Sequence, residues 1–351
     1  MVEEKRKIEE YYQALINRDS QYTGIFYVGV KTTQIFCIST CRARKPKLEN
    51  VNFYESIQEV ENAGFRPCKV CKPTKEKIPE ELMGLIKELQ ANPNIRITDQ
   101  DLLSKGLQPA TVRRWFKAHY GTTFQTFQKQ LRMNRAVEQL QTGESVTTSA
   151  FSSGYESLSG FHYYFQSTFD HSPSEATTLN MLSIDKIHTP IGQMVCVATA
   201  KAVCLLEFED RWNLEEELHQ LERQLDAKLV NGRNSIIEQA ETELQEYFEG
   251  KRKVFEVPLE MPGTVFQQRV WNALLAIPYG DTRSYKQQSI ALGDIKAIRA
   301  VASANGQNRI AIMVPCHRVV GSDGSLTGYA GGIPRKRWLL DHESSQPTLF
   351  S

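Results

Sequence analysis

Residues Val314–Val320 read V-P-C-H-R-V-V, with the apolar run I-A-I-M before them and the turn G-S-D-G after them. The run predicts a buried strand with Cys316 at its mouth. A histidine beside a thiol can lower its pKa and take its proton through a water, as a nucleophilic sulfur requires. Adjacency alone is weak support, because consecutive side chains on a strand point apart and a lone cysteine is commonly a small core residue. Cys196 and Cys204, in β-like stretches, read in that second way. The character of Cys316 therefore depends on its surroundings.

The 351 residues, 40% hydrophobic and 24% charged, predict two to four domains. No run of eighteen apolar residues occurs, and the mixed-charge start M-V-E-E-K-R-K-I-E-E is unlike an export signal. Seven cysteines, four of them before Pro73, fit reduced thiols better than a disulfide framework, so a cytoplasmic protein without membrane partners is expected. A net charge of +1 gives no overall sign of a polyanion partner. Locally, Arg42, Arg44, Lys45 and Lys47 follow one cysteine pair, and Arg113, Arg114 and Lys117 share one predicted helix. No tandem repeat with a solenoid period appears, and no low-complexity segment apart from the short polar tail after Glu343.

A helix is expected from Glu3 to Arg18, then a turn at Asp19-Ser20 and a strand in I-F-Y-V-G-V-K-T-T. The Pro/Lys linker K-P-T-K-E-K-I-P ends this first module, and from Glu80 to about Thr177 the signals are helical. β-like segments follow, then an acidic amphipathic helix from Asn213 to about Lys228, and a more helical unit from Gly263.

Cys37-x3-Cys41 and Cys68-x2-Cys71 are two close pairs separated by 26 residues, a spacing suited to one tetrahedral Zn2+. Such a zinc can be purely structural, holding a module too small for a sufficient core. Four thiolates around Zn2+ also carry net negative charge and stay nucleophilic at neutral pH. A sulfur that accepted an alkyl group would lose one negative charge beside the basic cluster, and affinity for a phosphate backbone would rise.

The segment T-T-Q-I-F-C-I-S-T-C-R-A-R, with L-E-N-V-N-F-Y and A-G-F-R-P-C-K-V-C, resembles the N-terminal module of the bacterial Ada family of alkyl-repair regulators. The resemblance implies that Cys37 takes a methyl group from a phosphotriester, that Cys41, Cys68 and Cys71 complete the zinc ligands, and that Arg44 faces DNA. Gln34 stands where Gly is usual, Ile38-Ser39-Thr40 replaces R-P-S, and Val70 replaces a basic residue.

In T-D-Q-D-L-L-S-K-G-L-Q-P-A-T-V-R-R-W-F-K a short helix, a turn near Gly106 and a second helix after Gln108 read as helix-turn-helix, with Thr111, Arg113, Arg114 and Lys117 outward. The plan recurs with Gly154 in the turn and a helix from Ser157. Trp115, Phe116, Phe161, Phe165 and Phe169 read as core, and Ser157, Ser159, His162 and Tyr163 as DNA-facing candidates. The second unit resembles the signature of the AraC family of transcription regulators.

I-P-Y-G-D-T-R-S-Y, A-I-R-A-V-A-S-A-N-G-Q-N, P-C-H-R-V-V, T-G-Y-A-G-G and R-W-L-L-D-H-E together resemble, in order and spacing, the catalytic domain of the O6-alkylguanine-DNA alkyltransferases. The resemblance implies Cys316 as alkyl acceptor, His317 as base through water, and Glu343 as the carboxylate that orients His317. It further implies that Arg299 enters the base stack, Tyr285 assists flipping, Asn308 braces the active-site loop, and Tyr329, Ala330 and Gly331 line the guanine pocket. Extrusion of the base is a physical requirement, because the O6 atom lies inside the paired stack. Ala300, Ala302 and Ala304 would let a helix approach a groove, or serve only as good helix formers.

The expectation is therefore a multidomain protein with a small α/β zinc module (1–76), an all-α AraC-type double helix-turn-helix (80–177), and an alkyltransferase whose N-terminal subdomain is 182–258 and whose α/β-containing catalytic subdomain is 263–343. Irreversible transfer from O6-alkylguanine, and O4-alkylthymine, to Cys316 and from methylphosphotriesters to Cys37 would make each sulfur single-use. Methylated Cys37 would then switch on sequence-specific transcription, with RNA polymerase as the implied partner of a monomer. Two other readings stand beside it: a regulator with purely structural zinc, and a repair enzyme whose middle only tethers it to DNA.

Overall fold

Helix-starting Thr98, Ser145 and Thr264 and the turn glycines between them set most element boundaries, and the computed structural model, which describes residues 1–73, 80–92 and 94–344, shows why. Most of the linker 72–79 and the polar tail beyond Ser344 lie outside the described residues.

The first module is α1 (Lys5–Asn17), β1 (Tyr27–Val30), β2 (Ile35–Cys37), β3 (Val51–Tyr54), α2 (Ile57–Asn62) and β4 (Arg66–Pro67). Its sheet has the order β3-β1-β2-β4, with β1 antiparallel to β2 and β3, and β4 parallel to β2. Gln34, in the β1–β2 turn, takes a left-handed φ of 54° where glycine would be unstrained.

The middle is helical: α3 (Glu80–Ala91), α4 (Asp99–Ser104), α5 (Pro109–Tyr120), α6 (Phe124–Gln141), α7 (Val146–Ser152) and α8 (Leu158–Phe169). Thr98 and Asp101 form a reciprocal capping box at the start of α4, and Pro109 opens α5 where its missing N–H costs nothing. Gly106 (φ 76°) and Gly154 (φ 77°) supply the left-handed turn residues of the two helix-turn-helix units. Phe116, Phe161, Phe165 and Phe169 are fully buried, each contributing roughly 2–3 kcal/mol, and Trp115 packs at the edge of the first core.

The remainder is β5 (Asn180–Thr189), β6 (Gly192–Ala198), β7 (Val203–Phe208), α9 (Leu214–Leu225), β8 (Ala227–Asn231), α10 (Ser235–Phe248), α11 (Val265–Leu275), β9 (Arg283–Ser284), α12 (Tyr285–Ala291), α13 (Ile298–Gly306), β10 (Val319–Val320) and α14 (Ile333–Glu343). The sheet order is β7-β6-β5-β8, with β8 parallel to β5. Cys196 and Cys204 are buried in it. The acidic helix stops at Leu225, short of Lys228, because Asp226 turns left-handed (φ 46°) and the chain enters β8. One apolar core joins Tyr11, Phe26 and Phe53 of the zinc module to Ile187, Met194 and Phe208 of the β5–β7 sheet. Among the described residues no helix is long and apolar enough to cross a membrane.

Candidate active site and metal centre

The run I-A-I-M is not a strand. Ile310 forms only an isolated bridge to Leu206, and Ile312 adopts φ 71°, a strained value for a β-branched residue. The reason is Asn308: its Oδ1 accepts from Ile310 N (3.0 Å) and its Nδ2 donates to Val314 O (2.8 Å), so beyond the one bridge to Leu206 the segment closes on itself instead of extending a ladder. Cys316 therefore opens a 3-10 turn, Cys316–Arg318, and the objection that strand neighbours point apart does not apply.

Asn308 Nδ2 also donates to Cys316 Sγ at 3.2 Å. Burial pushes the Cys316 thiol up, while the Asn308 hydrogen bond and the Lys336 and Arg211 charges work in the opposite sense. His317 is fully buried, and its Nε2 lies 2.9 Å from Glu343 Oε1. A carboxylate only accepts, so Nε2 carries the proton and Nδ1 keeps its lone pair. Burial lowers the His317 pKa below its ordinary 6.5, against the opposing pull of Glu343. Burial alone would raise the Glu343 carboxyl, but the His317 hydrogen bond and the Arg318 guanidinium outweigh it and hold it well below the carboxylate range.

Three groups around this relay were not anticipated. Arg318 gives Nε and Nη2 to Glu343 at 2.7 and 2.9 Å and Nη1 to Ile277 O at 2.6 Å. Tyr247, on α10, donates its hydroxyl to Glu343 at 2.8 Å. Arg211, ion-paired with Glu207 and Glu217, donates to Gly306 O (3.2 Å) and Asn308 O (3.0 Å), bracing the turn that holds Cys316. Arg318 is part of the motif itself, and a buried carboxylate demands a cationic partner, so it could have been found. Tyr247 and Arg211 carry no local signature.

The pocket candidates gather on the same side. Tyr329 stands edge-on to His317, ring centroids 6.4 Å apart. The Tyr329 hydroxyl and His317 Nδ1 are both buried without a partner among the described residues, so a ligand or solvent polar group is needed there. Ala330 is half-buried and Gly331 buried. Tyr285 directs its hydroxyl at Thr327 O (3.0 Å) and Gly328 O (3.2 Å), tying α12 to the pocket loop. Lys336, fully buried, grips the other side through Val319 O (2.5 Å) and Thr327 O (2.7 Å), and burial lowers its pKa to about 8. Arg299 is exposed near the start of α13. On that helix Ala300 is exposed and Ala302 half-buried, but Ala304 is core, its carbonyl accepting from Trp271 Nε1, so it cannot face a groove.

In the first module the four sulfurs of Cys37, Cys41, Cys68 and Cys71 lie within 4.8 Å of one another. Tetrahedral zinc with Zn–S bonds of about 2.3 Å places sulfurs about 3.8 Å apart, so the cluster fits one ion after slight contraction. Val70 N donates to Cys68 Sγ at 3.4 Å, while the Val70 side chain is exposed. Arg42, Arg44 and Lys47 are exposed, whereas Lys45 turns inward to Cys41 O (2.9 Å) and Ser39 O (3.3 Å) and braces the ligand loop.

On the helical module Thr111, Arg113, Arg114 and Lys117 are exposed, as expected of an outward face. Arg113 is ion-paired with Asp99, which ties α5 to α4. Ser157 is the N-cap of α8, accepting from Gly160 N, and Ser159, His162 and Tyr163 are exposed beyond it.

A buried cysteine beside a His317–Glu343 pair, a four-cysteine cluster and two helix-turn-helix units on one chain define a multidomain zinc-containing alkyltransferase and regulator. Four family models match in succession: "Metal binding domain of Ada" at 10–74, "Helix-turn-helix domain" at 104–178, and the ribonuclease-like and DNA binding domains of 6-O-methylguanine DNA methyltransferase at 184–261 and 265–345. The bifunctional transcriptional activator/DNA repair enzyme Ada of Escherichia coli K12 is 34% identical over 350 residues, covering 96% of each chain. The regulatory protein ada of Salmonella typhimurium is 30% identical, covering 94% of each. A crystal structure of the Mycobacterium tuberculosis O6-methylguanine methyltransferase superposes with a TM-score of 0.41 at 39% identity, over 49% of this chain and 97% of that one. The chain belongs to the Ada family.

Proposed function

We propose that this protein repairs alkylated DNA by transfer to its own cysteines, Cys316 and Cys37, and that alkylation at Cys37 activates transcription. The observation that carries the reading is a buried Cys316 held by Asn308 next to a His317 that pairs with Glu343 through Nε2 and keeps Nδ1 without a hydrogen-bond partner among the described residues. His317 takes the thiol proton through a bridging water, and Glu343 holds the ring in the Nε2–H form and stabilises the imidazolium. Cys316 Sγ then attacks the alkyl carbon; the S–C bond forms, the C–O bond breaks, the electron pair passes through O6 into the guanine ring, and the proton taken from the thiol returns through water to N1, which restores guanine in the DNA. Tyr329, Ala330 and Gly331 line the pocket of the flipped guanine. Tyr285 secures the pocket loop and polarises the base, and Arg299 fills the vacated stack. A thioether is a poor leaving group, so each sulfur serves once.

Bound zinc keeps the four cysteine sulfurs as thiolates. Alkylation of Cys37 removes one negative charge beside the exposed Arg42, Arg44 and Lys47, which weakens repulsion from phosphates. The faces carrying Arg113 and Arg114 on α5, and Ser157 at the head of α8, contact promoter DNA. The protein acts in the cytoplasm, as a monomer, on double-stranded DNA, and engages RNA polymerase once alkylated.

Methyl-labelled duplex DNA followed by peptide mapping tests this. Label on both Cys37 and Cys316 is expected. Label on Cys71, the most exposed of the four ligands, would move the acceptor within the cluster, and no label on Cys316 would overturn the relay.

A further inference from the structure

The zinc module meets the alkyltransferase at the guanine-pocket loop. Gly332, the N-cap residue of α14 at φ 91°, has the side chain of Gln21 where a Cβ would stand, with Gln21 Cδ 2.6 Å from that position. The neighbouring Gly331 is hemmed in on its other face by Tyr329 and Phe208. Arg335, one turn into α14, reaches across the seam: it donates to Ser20 O (3.4 Å), Ile191 O (2.9 Å) and Gly331 O (3.2 Å), pairs with Asp210, and lies 4.0 Å over the Phe208 ring. Arg337 pairs with Glu10 at 3.0 Å, and the same oxygen accepts from Tyr22.

The segment bearing Gln21 is itself fixed from the metal centre. Ser39, buried between the first two cysteine ligands, donates to Asp19 O at 2.8 Å, and the Asp19 carboxylate accepts from Gln21 N at 3.0 Å. Two successive glycines have the greatest backbone freedom of any dipeptide, so the loop from Tyr329 to Gly332 holds one shape only if something packs on it. Phe208 and Arg335 do so from the alkyltransferase, and Gln21 does so from the zinc module.

We propose that Gln21 is a positioning residue for transfer to Cys316: the zinc module, through Gln21, holds the glycine hinge and so sets the shape of the guanine pocket. The proposal rests on the reading of Cys316 as acceptor and Tyr329–Gly331 as pocket. Gln21 is exposed, so truncating it opens no core, and its contribution is shape, not charge.

The test uses the full chain in single-turnover transfer from duplexes bearing O6-methylguanine or O6-benzylguanine, over a range of DNA concentrations. For Gln21→Ala the saturating methyl rate should fall about fivefold, since small misplacement of a reacting group is costly. The benzyl-to-methyl rate ratio should rise about threefold, with half-saturating DNA and zinc content unchanged. Gln21→Met, similar in length and without the amide, should restore the ratio. Glu10→Ala, which loosens the seam without touching the hinge, should shift the ratio in the same direction by a smaller factor. Wild-type rate and ratio in both alanine variants, or a deficit in Gln21→Ala that Gln21→Met leaves in place, would overturn the proposal. A wild-type protein that transfers neither group would instead overturn the reading of Cys316.

Discussion

Replacing Glu343 by Gln keeps the shape of the side chain and removes its charge, at a carboxylate that accepts four hydrogen bonds of 2.7–2.9 Å from Tyr247, His317 and Arg318. The amide can present only one acceptor oxygen, so its NH2 faces a donor from Arg318 or His317. Removing one member of a buried ion pair costs about 3–5 kcal/mol, which a domain with a stability of about 5–15 kcal/mol survives in weakened form. Hydrogen exchange of peptides spanning 316–320 and 333–343 reads this locally, and protection there should fall by two decades or more, at about 1.4 kcal/mol per decade. The transfer rate should fall about hundredfold, the lower end of what a positioned base contributes, because His317 loses both its fixed tautomer and its counter-charge. The pH dependence follows the same group. Glu343 and His317 both have folded pKa values below their ordinary 4.5 and 6.5, so the unfolded chain binds protons more readily. Their stabilisation is present above those values and lost on acidification, first as His317 protonates and then as Glu343 does; the variant should lack the second step. Exchange protection within threefold of wild type, together with a rate within twofold, would refute the keystone role of Glu343.

Asn308→Ala removes the hydrogen bond that opposes burial at Cys316, so the thiol pKa should rise further and iodoacetamide labelling of Cys316 at pH 8 should slow by about tenfold; faster labelling would contradict the argument. Gln34→Gly should relieve the left-handed strain in the β1–β2 turn and stabilise the zinc module by about 0.5–1 kcal/mol, seen as slower exchange across β1 and β2. Unchanged exchange would show that the Gln34 side-chain bond to Lys31 O compensates. Cys68→Ser should drop zinc below one ion per chain and abolish protection across 35–71 while α5 and α8 stay protected, because the four sulfurs crosslink the end of that module. Retained stoichiometric zinc would mean that three sulfurs suffice.

How much was legible in advance varies with the range of the interaction involved. Paired cysteines at short spacing and turn glycines at 106 and 154 are local patterns, and each marks the element it occupies in the structure. The misreadings also have local causes. I-A-I-M has the composition of a strand, but the Asn308 side chain supplies the partners that a neighbouring strand would have supplied. The acidic helix appeared to reach Lys228 because nothing in its own residues announces that Ala227–Asn231 will pair alongside β5.

The chain by itself determined the four-cysteine cluster, the two helix-turn-helix plans and the adjacent Cys316 and His317, because residue type and short spacing suffice for those, while Glu343 as their carboxylate was implied only by the resemblance to the alkyltransferases. The tertiary structure decided that Glu343 faces His317 across 26 positions of sequence, that Tyr247 and Arg318 share that carboxylate, that Arg211 braces Asn308, and that Gln21 packs on Gly332. Those pairings follow from burial. A charge taken out of water must find its partner wherever packing brings one, and two glycines in a loop take their shape from whichever surface closes on them.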